Sequence, residues 1–298
     1  MTSTLVAIAD PERLPLDTAL IAELAARFDT APRWLAVGEA ADMAITGQDP
    51  ATILATAKAM IAAHGHAAQI DLAVVPTKER MKRLLVSDMD STMITVECID
   101  ELADFAGVRS EVASITCRAM NGELDFADAL RERVSLLAGL PLMVIDEVYA
   151  ERVRPMPGAR ILVQTMRRAG ARTALVSGGF MPFAERVADA LGFETVVANR
   201  LDTADGRLTG RVLPPITGAD TKLSTLAQLM RSHDLHPDQT LALGDGANDL
   251  PMIKAAGLGV AFRPHPALAA ASDVVIQVGD LTALLYLQGV PKERFFVK

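Results

Sequence analysis

Three short β-like runs in this chain stop abruptly at polar clusters, and that arrangement limits the possible fold more than any other feature. Leu84-Leu85-Val86 runs into Ser87-Asp88-Met89-Asp90-Ser91-Thr92. Arg172 to Val176 runs into Ser177-Gly178-Gly179-Phe180. Thr240 to Leu243 runs into Gly244-Asp245-Gly246-Ala247-Asn248-Asp249. A short apolar run bounded by polar residues is either a buried strand or a piece of buried helix. The switch to site-type residues favours strands, because open α/β sheets gather ligands at the carboxyl ends of their strands. Helix-like stretches lie between the runs: Ala159 to Ala169 stopped by Gly170, Met181 to Leu191, and Lys222 to Arg231. This alternation predicts an α/β fold on a parallel sheet.

Each cluster carries its own chemistry. Asp88 and Asp90, spaced i, i+2, would repel each other unless something offset their charge, and a hard cation with oxygen ligands does so. A carboxylate such as Asp88 can attack a phosphoryl group and form an aspartyl-phosphate. Asp90 could protonate the leaving oxygen and later take a proton from water. Taken alone, Asp-x-Asp is equally a solvated strand end. Ser-Gly-Gly allows backbone N–H groups to approach a phosphate closely, yet it is also a good turn. Lys222 at a helix start opposes the macrodipole, which hints at contact with an anion; otherwise it is a surface lysine. Asp245, Asn248 and Asp249 add oxygen ligands at the third strand end. Chance produces one such cluster easily and the ordered set poorly.

The 298 residues carry 29 Lys+Arg against 37 Asp+Glu, a net charge of −8, with no visible basic patch. Nucleic acid is therefore not an expected partner. The two cysteines, Cys98 and Cys117, have no paired or metal-type spacing, which fits a reducing cytoplasm. No signal-peptide pattern opens the sequence and no run of about 18 apolar residues occurs, so no membrane association is expected. The five histidines form no HExxH pattern and read as surface or core residues.

Residues 1–80 read as β-α-β(β)-α-β, an α+β unit with two helices on one face of an antiparallel sheet. Helices are expected over Leu16–Phe28 and Ala51–Ala63, the second capped by Asp49 with Pro50 in its first turn. Pro76 to Arg80 is a linker. The topology resembles the ACT-like regulatory domains of amino-acid enzymes, without a ligand signature, and favours a stability or dimerisation module; a homodimer would follow from an open sheet edge. Residues 81–298 form the second expected domain. Within it, residues 95–154 read as helices throughout, an insertion suited to covering a site and excluding water. In this cap Glu97 and Arg133 could clamp an amine and a carboxylate, or simply form surface ion pairs; Met120 and Phe126 are apolar by type and core-like.

Together these elements resemble the haloacid dehalogenase superfamily, and within it the phosphoserine phosphatases. Asp88-Met89-Asp90-Ser91-Thr92, Val176-Ser177-Gly178-Gly179-Phe180, Lys222 and Gly244-Asp245-Gly246-Ala247-Asn248-Asp249 match the four motifs. The likeness spans about residues 82 to 290. It implies a Rossmann-like core, a helical cap and one Mg²⁺ per site. By that likeness Asp88 is nucleophile and metal ligand. Asp90 is the general acid/base and gives its main-chain carbonyl to the metal, and Asp245 and Asp249 complete the metal site. Ser177, Gly178, Gly179 and Lys222 hold the phosphoryl group. Glu97 contacts the substrate amine and Arg133 its carboxylate, with Met120, Phe126 and Asn248 also at the substrate. The implied substrate is O-phospho-L-serine. Another small phosphorylated metabolite, or phosphotransfer to homoserine, is the alternative.

Overall fold

The computed structural model describes residues 2–120 and 123–297, the Met120 side chain excepted. Its first unit comprises β1 (Thr2–Ala9), α1 (Thr18–Arg27), β2 (Arg33–Ala36), β3 (Ala40–Thr46), α2 (Pro50–Ala63) and β4 (Ile70–Pro76). The strands form an antiparallel sheet in the order β2-β3-β1-β4. Both helices begin as their residues dictate. The Asp17 carboxylate accepts from the Ala19 N–H and Asp49 from the Thr52 N–H, each at 3.0 Å, satisfying donors left over at a helix start. Strand alternation sends Leu5, Ala7, Met43 and Ile45 toward these helices. It sends Val6, Ile8, Ala73 and Val75 into the core of the second unit. The small sheet is thus buried on both faces.

The second unit begins with β5 (Leu84–Ser87), followed by the cap helices α3 (Cys98–Ala106), α4 (Arg109–Met120), α5 (Phe126–Ser135) and α6 (Met143–Glu151). Next come α7 (Ala159–Arg168), β6 (Arg172–Phe180), α8 (Met181–Leu191), β7 (Thr195–Ala204), β8 (Arg207–Leu213) and α9 (Ala219–Ser232). The chain closes with β9 (Thr240–Gly244), α10 (Leu250–Ala255), β10 (Leu258–Phe262), α11 (Pro266–Ala271), β11 (Val274–Ile276) and α12 (Ala283–Leu287). The sheet order is β11-β10-β9-β5-β6-β7-β8. All neighbours are parallel except the β7–β8 hairpin. β5, β6 and β9 lie side by side, so the three polar clusters meet at one edge.

Three local readings change. The strand expected to end at Val176 continues as β6 to Phe180, with an irregular register between Val176 and Phe180. The sequence reads as a strand over Phe193–Ala198 followed by a separate hairpin over Arg200–Val212 around Asp205-Gly206; the structure merges the first strand with the hairpin's first arm into one long β7, paired with β8 through a turn at Asp205 and Gly206, both at positive φ, as a two-residue hairpin requires. The sequence reads as a helix from Phe126 to Ala138, but α5 stops at Ser135 because the chain is drawn to this hairpin. Gly139 N–H donates to Leu208 O at 2.8 Å, Leu208 N–H to Leu140 O at 2.9 Å and Leu142 N–H to Gly206 O at 3.0 Å. At its other end the cap joins the core through Thr95 N–H to Arg154 O and Met156 N–H to Met93 O, at 3.0 and 2.9 Å.

The two units share polar contacts. Asp71 of β4 accepts the N–H groups of Gln277, Val278 and Gly279, each at 2.9 Å. Arg80 bonds Asp42 at 2.6 Å and the carbonyls of Tyr286 and Leu287 at 3.1 Å. The Tyr286 hydroxyl reaches Glu39 at 2.8 Å. Among the described residues no helix is long and apolar enough to cross a membrane.

Candidate active site

The apolar Leu84-Leu85-Val86 is fully buried in the middle of the sheet. It delivers Asp88 to the floor of a cavity of about 810 Å³ between sheet and cap. Lys222, in the first turn of α9, is fully buried, and its Nζ lies 2.7 Å from Asp88 Oδ2 and 2.6 Å from Asp249 Oδ1. These two carboxylates raise the lysine's pKa against the opposing effect of burial. The ammonium is therefore a fixed positive charge, and the surface-lysine alternative is excluded.

Asp88, Asp245 and Asp249 each place a carboxylate oxygen within 4.8 Å of the others, all three residues buried. Burial first, and then Asp88, push the Asp245 carboxyl up to about 8 and that of Asp249 up to about 7. Such crowding is the condition a hard divalent cation relieves. Three hard oxygen donors of this kind fit Mg²⁺. Asp245 is aligned by the Thr92 hydroxyl at 2.8 Å, and Asp249 Oδ2 accepts from Gly246 N–H at 3.1 Å.

The Asp90 side chain lies outside that carboxylate trio. Its Oδ1 accepts from Cys98 N–H at 3.2 Å. Burial first, then the neighbouring Glu97, with Asp88 also close, push its pKa well above the ordinary carboxylate range, the direction a general acid needs. Glycine at 179 is what permits this approach, since a Cβ there would sit 2.4 Å from Asp90 Oδ2. Beside it, a Cβ on Gly178 would lie 2.9 Å from the Phe126 ring. The Ser177 hydroxyl accepts from Gly179 N–H at 2.8 Å.

From the cap, Glu97 and Arg133 face the same cavity. Glu97 accepts from the Ser91 hydroxyl at 2.6 Å. The half-buried Arg133 donates from Nε to Ala129 O at 3.2 Å. Ser177, Gly178, Gly179, Phe126 and Asn248 complete the lining among the expected residues, while Lys222 and Asp249 support it from below. The expectation for Met120 falls on a side chain outside the described residues. Four contributors were not singled out in the sequence. Ser91 and Thr92 orient Glu97 and Asp245. Cys98 holds Asp90. His265 lines the cavity, its N–H bonded to Asp245 O at 3.0 Å. The first two sit inside a motif already quoted, and a hydroxyl there could have been read as a carboxylate's partner.

Residues 85–254 match the haloacid dehalogenase-like hydrolase family across the strands and motifs that build this site. The chain belongs to that family. Among haloacid dehalogenase-like hydrolases, phosphoserine phosphatase SerB2 of Mycobacterium tuberculosis is 46% identical over 213 residues, covering 72% of this chain and 52% of that protein. The chain thus spans about half the length of this relative. The phosphoserine phosphatase of Idiomarina loihiensis is 46% identical over 202 residues, 68% of this chain and 91% of that one. A crystal structure of a probable phosphoserine phosphatase from Vibrio cholerae superposes with a TM-score of 0.77 at 31% identity, over 98% of this chain and 88% of that one. The likeness therefore extends through the small antiparallel unit as well as the haloacid dehalogenase-like core.

Proposed function

We propose that the protein is a Mg²⁺-dependent phosphatase that hydrolyses O-phospho-L-serine to L-serine and phosphate, the last step of L-serine biosynthesis. One observation carries the reading. Asp88 meets a buried lysine and a glycine-rich cradle in a cavity whose opposite wall holds Glu97 and Arg133. The carboxylate oxygens of Asp88 and Asp245, with Asp249 beside them and the main-chain carbonyl of Asp90, would hold one Mg²⁺, which neutralises charge on the phosphoryl group. The residues of the chain do the rest. The Asp88 carboxylate attacks phosphorus while Asp90, whose burial beside Glu97 favours the protonated form, protonates the departing serine oxygen. Asp90 then takes a proton from water as that water attacks the aspartyl-phosphate and frees Asp88. Lys222, the Gly178 N–H and the Ser177 hydroxyl, itself oriented by the Gly179 N–H, stabilise the phosphoryl oxygens throughout. Arg133 receives the substrate carboxylate and Glu97 its ammonium, which selects an amino-acid phosphate over other monoesters.

The roles of Phe126 and Asn248 at the substrate, a cytoplasmic location, residues 1–80 as an ACT-like unit beside a catalytic domain at 81–298, and a homodimer through the outer strand β2 belong to the same proposal. Phosphate release from a panel of phosphorylated metabolites, with Mg²⁺ and with EDTA, tests it. Phosphoserine should stand out and EDTA should stop release. Metal-dependent release with phosphoserine undistinguished would return Glu97 and Arg133 to structural roles. Asp88→Asn should abolish turnover in a folded protein, and retained activity would end the nucleophile assignment.

A further inference from the structure

The phosphate cradle is an interruption in the sheet. β6 pairs with β7 up to Val176↔Val197 and resumes at Phe180↔Asn199. Three residues, Ser177 to Gly179, therefore stand opposite Ala198 alone, a bulge that removes the cradle from the ladder. Something other than sheet pairing must hold it. Asn199, fully buried on β7, takes that place. Its Nδ2 donates to Gly178 O at 2.8 Å and to Thr217 O at 3.2 Å, and its Oδ1 accepts from Thr217 N–H at 2.7 Å. Thr217 is buried and directly precedes Gly218, where α9 begins. Five residues beyond Thr217, Lys222 reaches Asp88. Gly178 and Gly218 also both lie under the Phe126 ring, with hypothetical Cβ contacts of 2.9 and 3.2 Å.

We propose that Asn199 is a positioning residue for phosphoryl transfer. One amide fixes the spacing between the Ser177–Gly179 cradle and the segment that carries Lys222. It touches neither the substrate nor the reacting atoms. Both side-chain donors and the acceptor are engaged, so no other residue of that size replaces all three bonds. The inference rests on the phosphatase reading but not on phosphoserine as substrate. Misplacing groups by about 1 Å lowers rates by up to about 100-fold, and that is the effect this residue prevents.

The test uses the full-length protein and its Asn199→Ser and Asn199→Asp variants. The aspartate keeps the shape and the bond from Thr217 N–H but loses both donors, so either variant decides if the other fails to fold. Steady-state rates on phosphoserine and on an aryl phosphate, orthovanadate affinity, Mg²⁺ affinity and Tm are measured together. kcat should fall about 10- to 100-fold on both substrates. Vanadate affinity should fall with it, while Mg²⁺ affinity stays within about threefold, because the carboxylates are untouched. Leu191→Ala, buried at the C-terminal end of α8, the end away from the cradle, serves as a control of purely structural loss and should keep kcat even where its Tm falls as much. Unchanged kcat and vanadate affinity in a folded variant, or an equal kcat loss in the control, would overturn the proposal. A parent protein inactive on every phosphomonoester would overturn the phosphatase reading instead, and vanadate binding would still judge Asn199.

Discussion

Lys222 illustrates what one residue contributes when its neighbours are fixed. Burying an ammonium is unfavourable unless it is paired, and removing its positive charge strands two buried carboxylates. Lys222→Met should lower kcat by at least about 100-fold and weaken the fold, measured by phosphate release and thermal melting. Arg133→Ala should reduce kcat/KM for phosphoserine far more than for an aryl phosphate; equal losses would refute the carboxylate clamp. The carboxylate trio predicts a pH dependence. In the unfolded chain these carboxyls ionise near pH ~3.9, but in the folded, metal-free protein Asp249 and Asp245 hold protons up to about 7 and 8. Between those limits the unfolded chain binds fewer protons, so stability falls as pH rises. Melting of metal-free protein should show Tm dropping across that window, and added Mg²⁺ should remove the drop. A flat metal-free profile would contradict the crowding. At this scale the sequence was informative where chemistry is carried by residue type, as at Asp88, Asp90 and Asp245. It was silent at Asn199, because an asparagine in a strand declares its partners only once three distant segments are packed around it.

Elements show a similar division. Strand ends, caps and the Asp205-Gly206 turn were legible because they follow from local periodicity and backbone preference. The bulge in β6 was not, since Ser-Gly-Gly reads alike as a loop or as a strand interrupted by its neighbour. Nor was the early end of α5, which is set by hydrogen bonds to residues 206–208, some seventy positions away. β9 ends under tight steric control. A Cβ at Gly244 would lie 2.2 Å from Asp249 Cγ, so Gly244→Ala must displace that carboxylate. The variant should lose metal affinity by about 10-fold or more, in the range of changes to groups that orient ligands, as read by calorimetric titration with Mg²⁺. Unaltered affinity would mean that Asp249 stands apart from the metal site.

Across the whole molecule, the two units are joined by groups that leave little room for independent movement. Each sheet was foreseeable from its own patterning. Their contact was not, since Asp71 and Arg80 looked like ordinary charges in a strand and a linker. Asp71 satisfies three backbone donors at once. Asp71→Ala would leave them unpaired in the interface and should destabilise the protein by about 2–4 kcal/mol. Calorimetry should show one unfolding transition in the parent and two in the variant; a single transition with unchanged Tm in the variant would mean the interface is held by apolar contacts alone. The same contacts impose a timetable on synthesis. Asp71 meets its partners 206 to 208 residues later in the chain. At about 5–20 residues per second, the ribosome leaves Val6, Ile8, Ala73 and Val75 uncovered for roughly 10–40 seconds. The first unit to emerge therefore carries a bare apolar sheet face until nearly the last strand has been made, and the nascent chain should be most open to chaperone capture during that interval.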